Sequence, residues 1–416
     1  MANPVPLVAR GDGALLDAPG FAAAVDDGQV RPARPVDFMP LPEGSLLLTL
    51  PGRSAIVFDG ADRVLLDELD GVPIDAMAVA LPLGFTRGLL PAYEGRPAAP
   101  ALPLYGYTAA AWDGKRIVAA ALATDSLESW SASSHDDVHV RVGIAARVAE
   151  FGNTALLAQL TRCATEYGCY TAQNAFLRVG EAAIPVSPAC NARCIGCISE
   201  QEPGSGFVSA QERVRSTPSV DDIVRLAVAH LDGGGEIVSF GQGCEGEPLL
   251  AAPQIATAIR AIRKRTAAGV IHCNTNASSP RALGLLIDAG LQSVRVSLNS
   301  ARPATYAAYY RPRGYGFADV CKSLQLATDA KISISLNLLT HPGVTDATDE
   351  VAGFEHLLRS YSITMVQTRT LNVDPAEYFA AVGRPARPTL GMAGWLARIG
   401  SQFPSLRFGN FTRGFG

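Results

Sequence analysis

The chain has 416 residues, enough for two or more domains and a large buried core. Its 35 basic and 39 acidic side chains leave a net charge of −4, so no basic footprint supports generic nucleic-acid binding. No apolar run approaches a membrane span, and Met1-Ala-Asn-Pro-Val-Pro6 lacks the basic and apolar segments of a signal peptide. A cytoplasmic protein with no membrane association is therefore expected. In that compartment its 8 cysteines point to metal or catalytic use rather than a disulfide framework.

Residues 1–175 are rich in Pro, Gly and short apolar runs. Ser45–Leu50, Ala55–Phe58 and Val64–Leu66 read as strands. Tyr105–Trp112 and Lys115–Leu122 flank Asp113-Gly114, the signature of a two-residue hairpin turn. Val138–Val142 alternates weakly; His135 and His139 have the i, i+4 spacing of a helical metal site, but the surroundings look strand-like and the stretch is read as a solvated loop. A helix is expected over Asn153–Gly168, capped by Asn153 or Thr154, with Leu156, Leu157 and Leu160 at helical spacing. It carries Cys163, and Cys169 follows it. These features describe an α+β or mostly-β N-terminal domain with a substrate or cap role.

From Ala182 the pattern changes. Strands are expected at Ala182–Ser187, Glu236–Phe240, Val270–Cys273, Ser293–Leu298, Ser333–Leu338 and Thr364–Arg369. Helices are expected near Val220–Leu231, Ile255–Thr266, Pro280–Ala289, Phe317–Ala327 and Asp346–Tyr361. Such alternation implies parallel βα units, whose ligands bind beyond the carboxyl ends of the strands.

The chemistry gathers at those ends. Cys190-Asn-Ala-Arg-Cys194-Ile-Gly-Cys197 follows the first strand with C-x3-C-x2-C spacing. Three close thiolates can each hold one iron of a [4Fe-4S] cube and leave the fourth iron open. Structural zinc is the competing use, but it needs four ligands, and no second Cys/His hook lies nearby; His139 and His230 are remote. The second strand leads into Gly241-Gln-Gly-Cys-Glu-Gly-Glu-Pro248, where glycines permit close backbone approach, or form an ordinary turn. The third strand ends at Asn274-Thr-Asn276, and the fourth carries Ser297-Leu-Asn299; local turn bonding competes with ligand contact at each. Leu338 and Leu339 follow the fifth strand, and Gln367, Arg369 and Asn372 mark the sixth. Tyr306, Tyr309, Tyr310 and Tyr315 either line a substrate channel or stack on a helix.

The cysteine triad, Gly246-Glu247-Pro248 and Ser297-Leu-Asn299, in this order, resemble the radical SAM (S-adenosylmethionine) superfamily over roughly residues 182–373. The resemblance implies an α/β fold, a partial (β/α)6 TIM-like barrel at 176–373 with a short C-terminal extension at 374–416. It implies a [4Fe-4S] cluster on Cys190, Cys194 and Cys197, and S-adenosylmethionine held by Gly246, Glu247, Pro248, Asn274, Asn276, Ser297, Asn299, Leu339 and Arg369. Arg369 equally suits a substrate carboxylate. Two departures stand out: Glu245 replaces the first glycine of the family's Gly-Gly-Glu-Pro motif, and Thr275-Asn276-Ala277 replaces Thr-Asn-Gly.

The implied reaction is reductive cleavage to a 5′-deoxyadenosyl radical, then hydrogen abstraction from an organic substrate, a peptide or a small molecule. An electron donor such as flavodoxin or ferredoxin and oxygen sensitivity follow. The alternatives are an activator that places a glycyl radical on a protein partner, and a non-catalytic iron–sulfur or zinc protein. Cys244, in the glycine-rich loop, is a candidate hydrogen-atom donor or a small residue filling a turn. No cysteine follows Cys321, which argues against a SPASM-type tail with auxiliary clusters. Trp395, Phe403, Phe408 and Phe411 in the extension are expected to close the barrel's lower end or its lateral opening.

Overall fold

The computed structural model describes residues 3–125, 135–386, 388–410 and 412; Phe411 lies outside them. The N-terminal region is mostly β. Val5–Arg10 pairs antiparallel with Val72–Ala80, which pairs with Leu46–Leu50. A second antiparallel sheet centres on Arg53–Asp59, between Ala22–Asp26 and Tyr93–Gly95. Val8, Leu50, Val57, Ile74, Leu102 and Tyr107 pack into one apolar cluster. The expected hairpin exists, but its strands are Ala110–Trp112 and Ile117–Ala119, joined by residues 113–116 rather than by a two-residue turn. The reason is Asp113, whose Oδ1 accepts from Lys115 N and Arg116 N at 2.9 Å and wraps the loop around itself.

Three helices follow. Asp137–Phe151 corrects the strand-like reading of Val138–Val142. Asp136 caps it, with Oδ1 accepting from Val138 N at 3.0 Å and His139 N at 3.1 Å, and this outweighs the extended bias of three valines. His135 Nε2 bonds Asn174 Oδ1 at 2.8 Å, and His139 Nδ1 pairs with Asp136, so both imidazoles have local partners. Ala155–Thr165 is capped by Thr154, and Tyr170–Leu177 completes the set. Leu156, Leu157, Leu160 and Phe176 join the barrel's apolar core.

The core is a parallel sheet in sequence order: Glu181–Ala183, Ile237–Phe240, Val270–Thr275, Ser293–Leu298, Ser333–Thr340, Ile363–Thr370 and Arg407–Gly409. The helices between these strands include the five expected: Val220–Asp232, Ala252–Arg263, Pro280–Ala289, Phe317–Asp329 and Thr348–Ser360. Six strands match the expected set, and the seventh comes from the C-terminal extension, with Met365 opposite Arg407. The sheet is curled: Arg295 Nη2 on the fourth strand reaches Glu181 Oε1 on the first at 3.8 Å. Strand periodicity explains the polarity of the two faces. Val294, Val296 and Leu298 pack outward into the helical core, as do Ile334, Leu336 and Leu338. The alternating residues Arg295, Ser297, Asn337, Leu339 and Arg369 line the interior.

The extension adds helix Met392–Gln402, whose Trp395 is fully buried, 5.6 Å from the Phe354 ring and 5.8 Å from Phe408. The Phe403 ring carries the Arg359 guanidinium at 5.7 Å. The N-terminal region abuts the carboxyl ends of the fifth and sixth strands. Thr86 and Thr340 hydroxyls bond at 2.8 Å, Asn410 Nδ2 donates to Thr124 Oγ1 at 2.8 Å, and Arg53 pairs with Asp374 at 3.1 Å in a buried contact. Among the described residues, no helix is long and apolar enough to cross a membrane.

Trp395 ties the extension to the barrel, so Trp395→Ala is expected to cost about 3–5 kcal/mol in urea unfolding. A change below about 1 kcal/mol would show that the extension contributes little to barrel stability.

Candidate functional site

After the first strand, Ile184 N still bonds Ser239 O at 2.9 Å, but the chain then leaves the sheet and its backbone donors turn to one side chain. Glu245 Oε2 accepts from Val186 N and Ser187 N, both at 2.8 Å. Its Oε1 accepts from Gly241 N and Gln242 N, both at 2.7 Å. One buried carboxylate thus pins the root of the cysteine loop to the glycine-rich loop.

Three further contacts fix the cysteine loop. Gly246 N donates to Ser187 O at 2.6 Å, and Glu247 N donates to Ala189 O at 2.9 Å. A Cβ at Gly246 would lie 2.0 Å from Ala189 O, so only glycine fits. Asn276 Nδ2 donates to Asn191 Oδ1, and Asn191 Nδ2 donates to Ser278 Oγ, linking the loop to the third strand's end. On the other flank, Arg193 N and Ile195 N donate to the carbonyls of Tyr310 and Tyr309. Those tyrosines belong to helix Pro303–Tyr310, which the sequence reading did not anticipate. Tyr306 and Tyr310 stack at 4.6 Å, and Tyr306, Tyr309 and Tyr310 are all buried. Of the two uses foreseen for these rings, stacking on a helix describes Tyr306, and only Tyr309 and Tyr310 also reach the cavity.

Cys190 and Cys194 open onto a cavity of about 750 Å³ at the strands' carboxyl ends. All three cysteines line a second cavity of about 840 Å³, together with Arg193, Arg213 and Arg311. Burial pushes the Cys194 thiol well up from its ordinary value, and the neighbouring Cys197 and Cys190 charges push it further. Burial also raises Cys190, with the charges of Glu247 and Cys197 adding to it. Ionising these thiols is costly without a cation, and a bound metal group relieves that cost. Arg213 supplies part of the compensation: its Nη2 donates to Cys197 Sγ at 3.5 Å and its Nε to Ser199 Oγ at 3.2 Å. Among the described residues, no three or more His, Cys, Asp or Glu groups are placed to hold a single metal ion. Among the described residues the donor set is three thiols with no fourth protein ligand. That fits a cube whose irons are held separately, with one left open, better than a four-ligand zinc site.

Gly246, Glu247, Pro248, Asn274, Asn276, Ser297, Leu339 and Arg369 all line this cavity. Several are already engaged. Glu247 accepts from Leu249 N at 3.0 Å, from Asn276 N at 2.8 Å and from the Thr275 hydroxyl, as a brace between two loops. Asn274 Nδ2 donates to Ser239 Oγ at 3.0 Å. Asn299 stands apart: it is buried, and its Nδ2 donates to Thr305 O at 3.1 Å and Tyr378 Oη at 3.0 Å. Cys244 is 4% exposed on the cavity wall, and Cys163 lines the same cavity. Cys169 lines the same wall. Leu83 and Phe85 of the N-terminal region also line the cavity. Sequence reasoning missed Arg213, Asn337 and the bridging role of Glu245. For Glu245 a signal existed, a carboxylate replacing a motif glycine beside unpaired strand-end donors.

Burial pushes the Glu245 and Glu247 carboxyls up to about 7, against the hydrogen bonds that hold them down. A folded value above the unfolded one means that the folded state holds more protons between those values. The contribution to stability is then full below about 4.5 and falls as pH rises through about 7. The Glu245 share of this slope is at most about 3 kcal/mol. Urea unfolding at several pH values is expected to show a flatter slope in Glu245→Gln, with lower stability in acid; an unchanged slope would contradict the assignment.

Residues 184–354 match the family described as the Radical SAM superfamily. The GTP 3′,8-cyclase of Chlorobaculum tepidum is 28% identical over 185 residues, 44% of this chain and 51% of that one. The chain therefore spans about half the length of that curated relative. Among solved structures, the [FeFe]-hydrogenase maturase HydG from Carboxydothermus hydrogenoformans aligns with TM-score 0.41 at 15% identity, over 66% of each chain. SuiB of Streptococcus suis bound to S-adenosylmethionine aligns with TM-score 0.40 at 12% identity, over 68% of this chain and 62% of that one.

Proposed function

We propose that the chain, whose residues 184–354 match the Radical SAM superfamily, is an enzyme that abstracts a hydrogen atom from an organic substrate, peptide or small molecule. Its cofactors are a [4Fe-4S] cluster on Cys190, Cys194 and Cys197, and S-adenosylmethionine. The observation that carries the reading is one cavity, walled by Cys190 and Cys194 and by Gly246-Glu247-Pro248, with a polar barrel interior beneath. When bound, the cluster and S-adenosylmethionine supply one-electron cleavage of the sulfonium to a 5′-deoxyadenosyl radical.

The chain's own residues then have distinct tasks. Glu245 and Gly246 set the distance between the thiol loop and the loop that borders the cofactor's methionine end. Asn276 and Ser297 offer hydrogen-bonding groups to the ribose and the amino-acid end, while Leu339 offers an apolar face to the adenine. Asn274 holds the floor through Ser239, and Asn299 holds helix Pro303–Tyr310 in place through the Thr305 carbonyl. Arg213 offsets thiolate charge at Cys197. Leu83 and Phe85 exclude water from one wall, which protects a reactive intermediate from quenching. Cys244 stands where a thiol can return a hydrogen atom to a substrate radical, and Cys163 lines the same cavity. A reduced flavodoxin or ferredoxin supplies the electron.

Anaerobic reconstitution is expected to give about four irons per chain and to release 5′-deoxyadenosine on reduction with S-adenosylmethionine. Cys190→Ala, Cys194→Ala and Cys197→Ala each abolish both. Bound zinc with no deoxyadenosine would overturn the reading, and a radical appearing on a partner protein would redirect it to an activating enzyme. Cys244→Ala is expected to lower turnover or change the product; undiminished turnover to the same product removes the thiol from the mechanism.

A further inference from the structure

We propose that the sixth-strand side of the cavity is an anion subsite, in which Arg369, backed by Arg295, receives the negatively charged group of the substrate. The word substrate rests on the reading above; the site itself rests on charge balance inside the barrel.

Two guanidinium groups project into the interior, and they differ. Arg295 is matched: its Nη2 lies 3.8 Å from Glu181 Oε1, and its Nη1 donates to Gln367 Oε1 at 2.8 Å and Thr412 Oγ1 at 2.7 Å. Arg369 donates through Nη2 to the Asn410 carbonyl and, among the described residues, forms no ion pair within 4.0 Å. Burial pulls its pKa down to about 10, the Arg295 charge pulls the same way, and Glu181 and Asp125 offset only part of this. A desolvated cation beside a second cation is unfavourable unless an anion joins it. Nearby, Asn337 Oδ1 is buried without a hydrogen-bond partner, and Asn337, Asn372 and Thr412 line the same cavity as Arg369. Among the described lining residues, Arg369 is thus a cation without an ion pair; Glu181 is already taken by Arg295, and the neutral groups of Asn337, Asn372 and Thr412 share its cavity.

The subsite adjoins the adenine end of the cofactor, since Arg369 is the cross-strand partner of Leu339, and it lies on a different strand from the thiols and the methionine-end groups. The thiols follow the first strand, and the groups assigned to the methionine end and ribose follow the second, third and fourth. Arg369 sits on the sixth, next to residues of the C-terminal extension. The planar guanidinium matches a carboxylate or a phosphate through paired N–H donors. The cavity, about 750 Å³, is of small-molecule size. The ligand class is therefore a small acid or phosphoester, or the acidic end of a short peptide.

The test uses reconstituted full-length protein and two probes, acetate and inorganic phosphate, each exchanged for chloride at constant ionic strength while thermal unfolding is followed. Saturable stabilisation by one probe is expected in the wild type; acetate points to a carboxylate substrate and phosphate to a phosphoester. In Arg369→Gln the half-saturating concentration should rise at least about tenfold, the loss of one charged hydrogen-bonding partner. Arg369→Lys should fall between the two, which separates charge recognition from misfolding. The affinity for S-adenosylmethionine, by equilibrium dialysis, should fall by a smaller factor in Arg369→Gln than the anion affinity does. Equal anion responses in wild type and variant, no saturable response to either probe, or loss of S-adenosylmethionine binding in Arg369→Gln would each overturn the proposal. Because deoxyadenosine release is measured separately, failure here leaves the radical-enzyme reading standing, and the converse also holds.

Discussion

The buried carboxylate of Glu245 accepts from four backbone N–H groups, two on each of the loops that build the site. A charge with that many donors is rigid in direction as well as in place. It ends the first strand, because Val186 and Ser187 donate to it instead of to the sheet. It sets the start of the glycine-rich loop, where Gly241 adopts φ +80° and a side chain would strike Asn274 O at 1.8 Å. Gly246 then lies directly against Ala189, and that contact holds the root of the cysteine loop against the glycine-rich loop. The family's usual glycine is absent here, and a side chain that crosslinks both loops stands in its position.

The barrel interior follows from a second constraint. Parallel strands covered by helices are normally apolar on both faces, and the outward faces here obey that rule. The inward face instead carries Glu181, Asn274, Arg295, Asn337 and Arg369; Glu181 pairs with Arg295, and Asn274 bonds Ser239. Buried polarity of this kind costs stability unless it is satisfied. Asn337 Oδ1 is left without a partner and Arg369 without an ion pair among the described residues, and the proposed anion would complete the network there.

Much of the barrel was legible because its signals are local. Helix Pro280–Ala289 and strand Ser293–Leu298 have the expected bounds, set by a Ser279 cap, Gly290 in the left-handed region and strict alternation. The first strand is shorter than its apolar run suggested, Glu181–Ala183, because a distant side chain takes its last donors. Helix Pro303–Tyr310 was hidden by its aromatic content, and strand Arg407–Gly409 is too short to announce itself. At the site, the cysteine spacing was readable because its ligands are contiguous. Arg213, Asn337 and the sharing of one cavity by Cys163 and Cys244 were not, since only the tertiary fold brings them to the site. Asn299 shows the reverse: its motif position suggested a ligand contact, and its amide serves a helix instead.

The account depends on an open iron at Cys190, Cys194 and Cys197 that binds S-adenosylmethionine beside the Gly246 loop. Electron paramagnetic resonance of the reduced, reconstituted protein addresses this directly. The account predicts a reduced-cluster signal that changes shape when S-adenosylmethionine is added and is lost in Cys194→Ala. A cluster signal that S-adenosylmethionine leaves unaltered would contradict it.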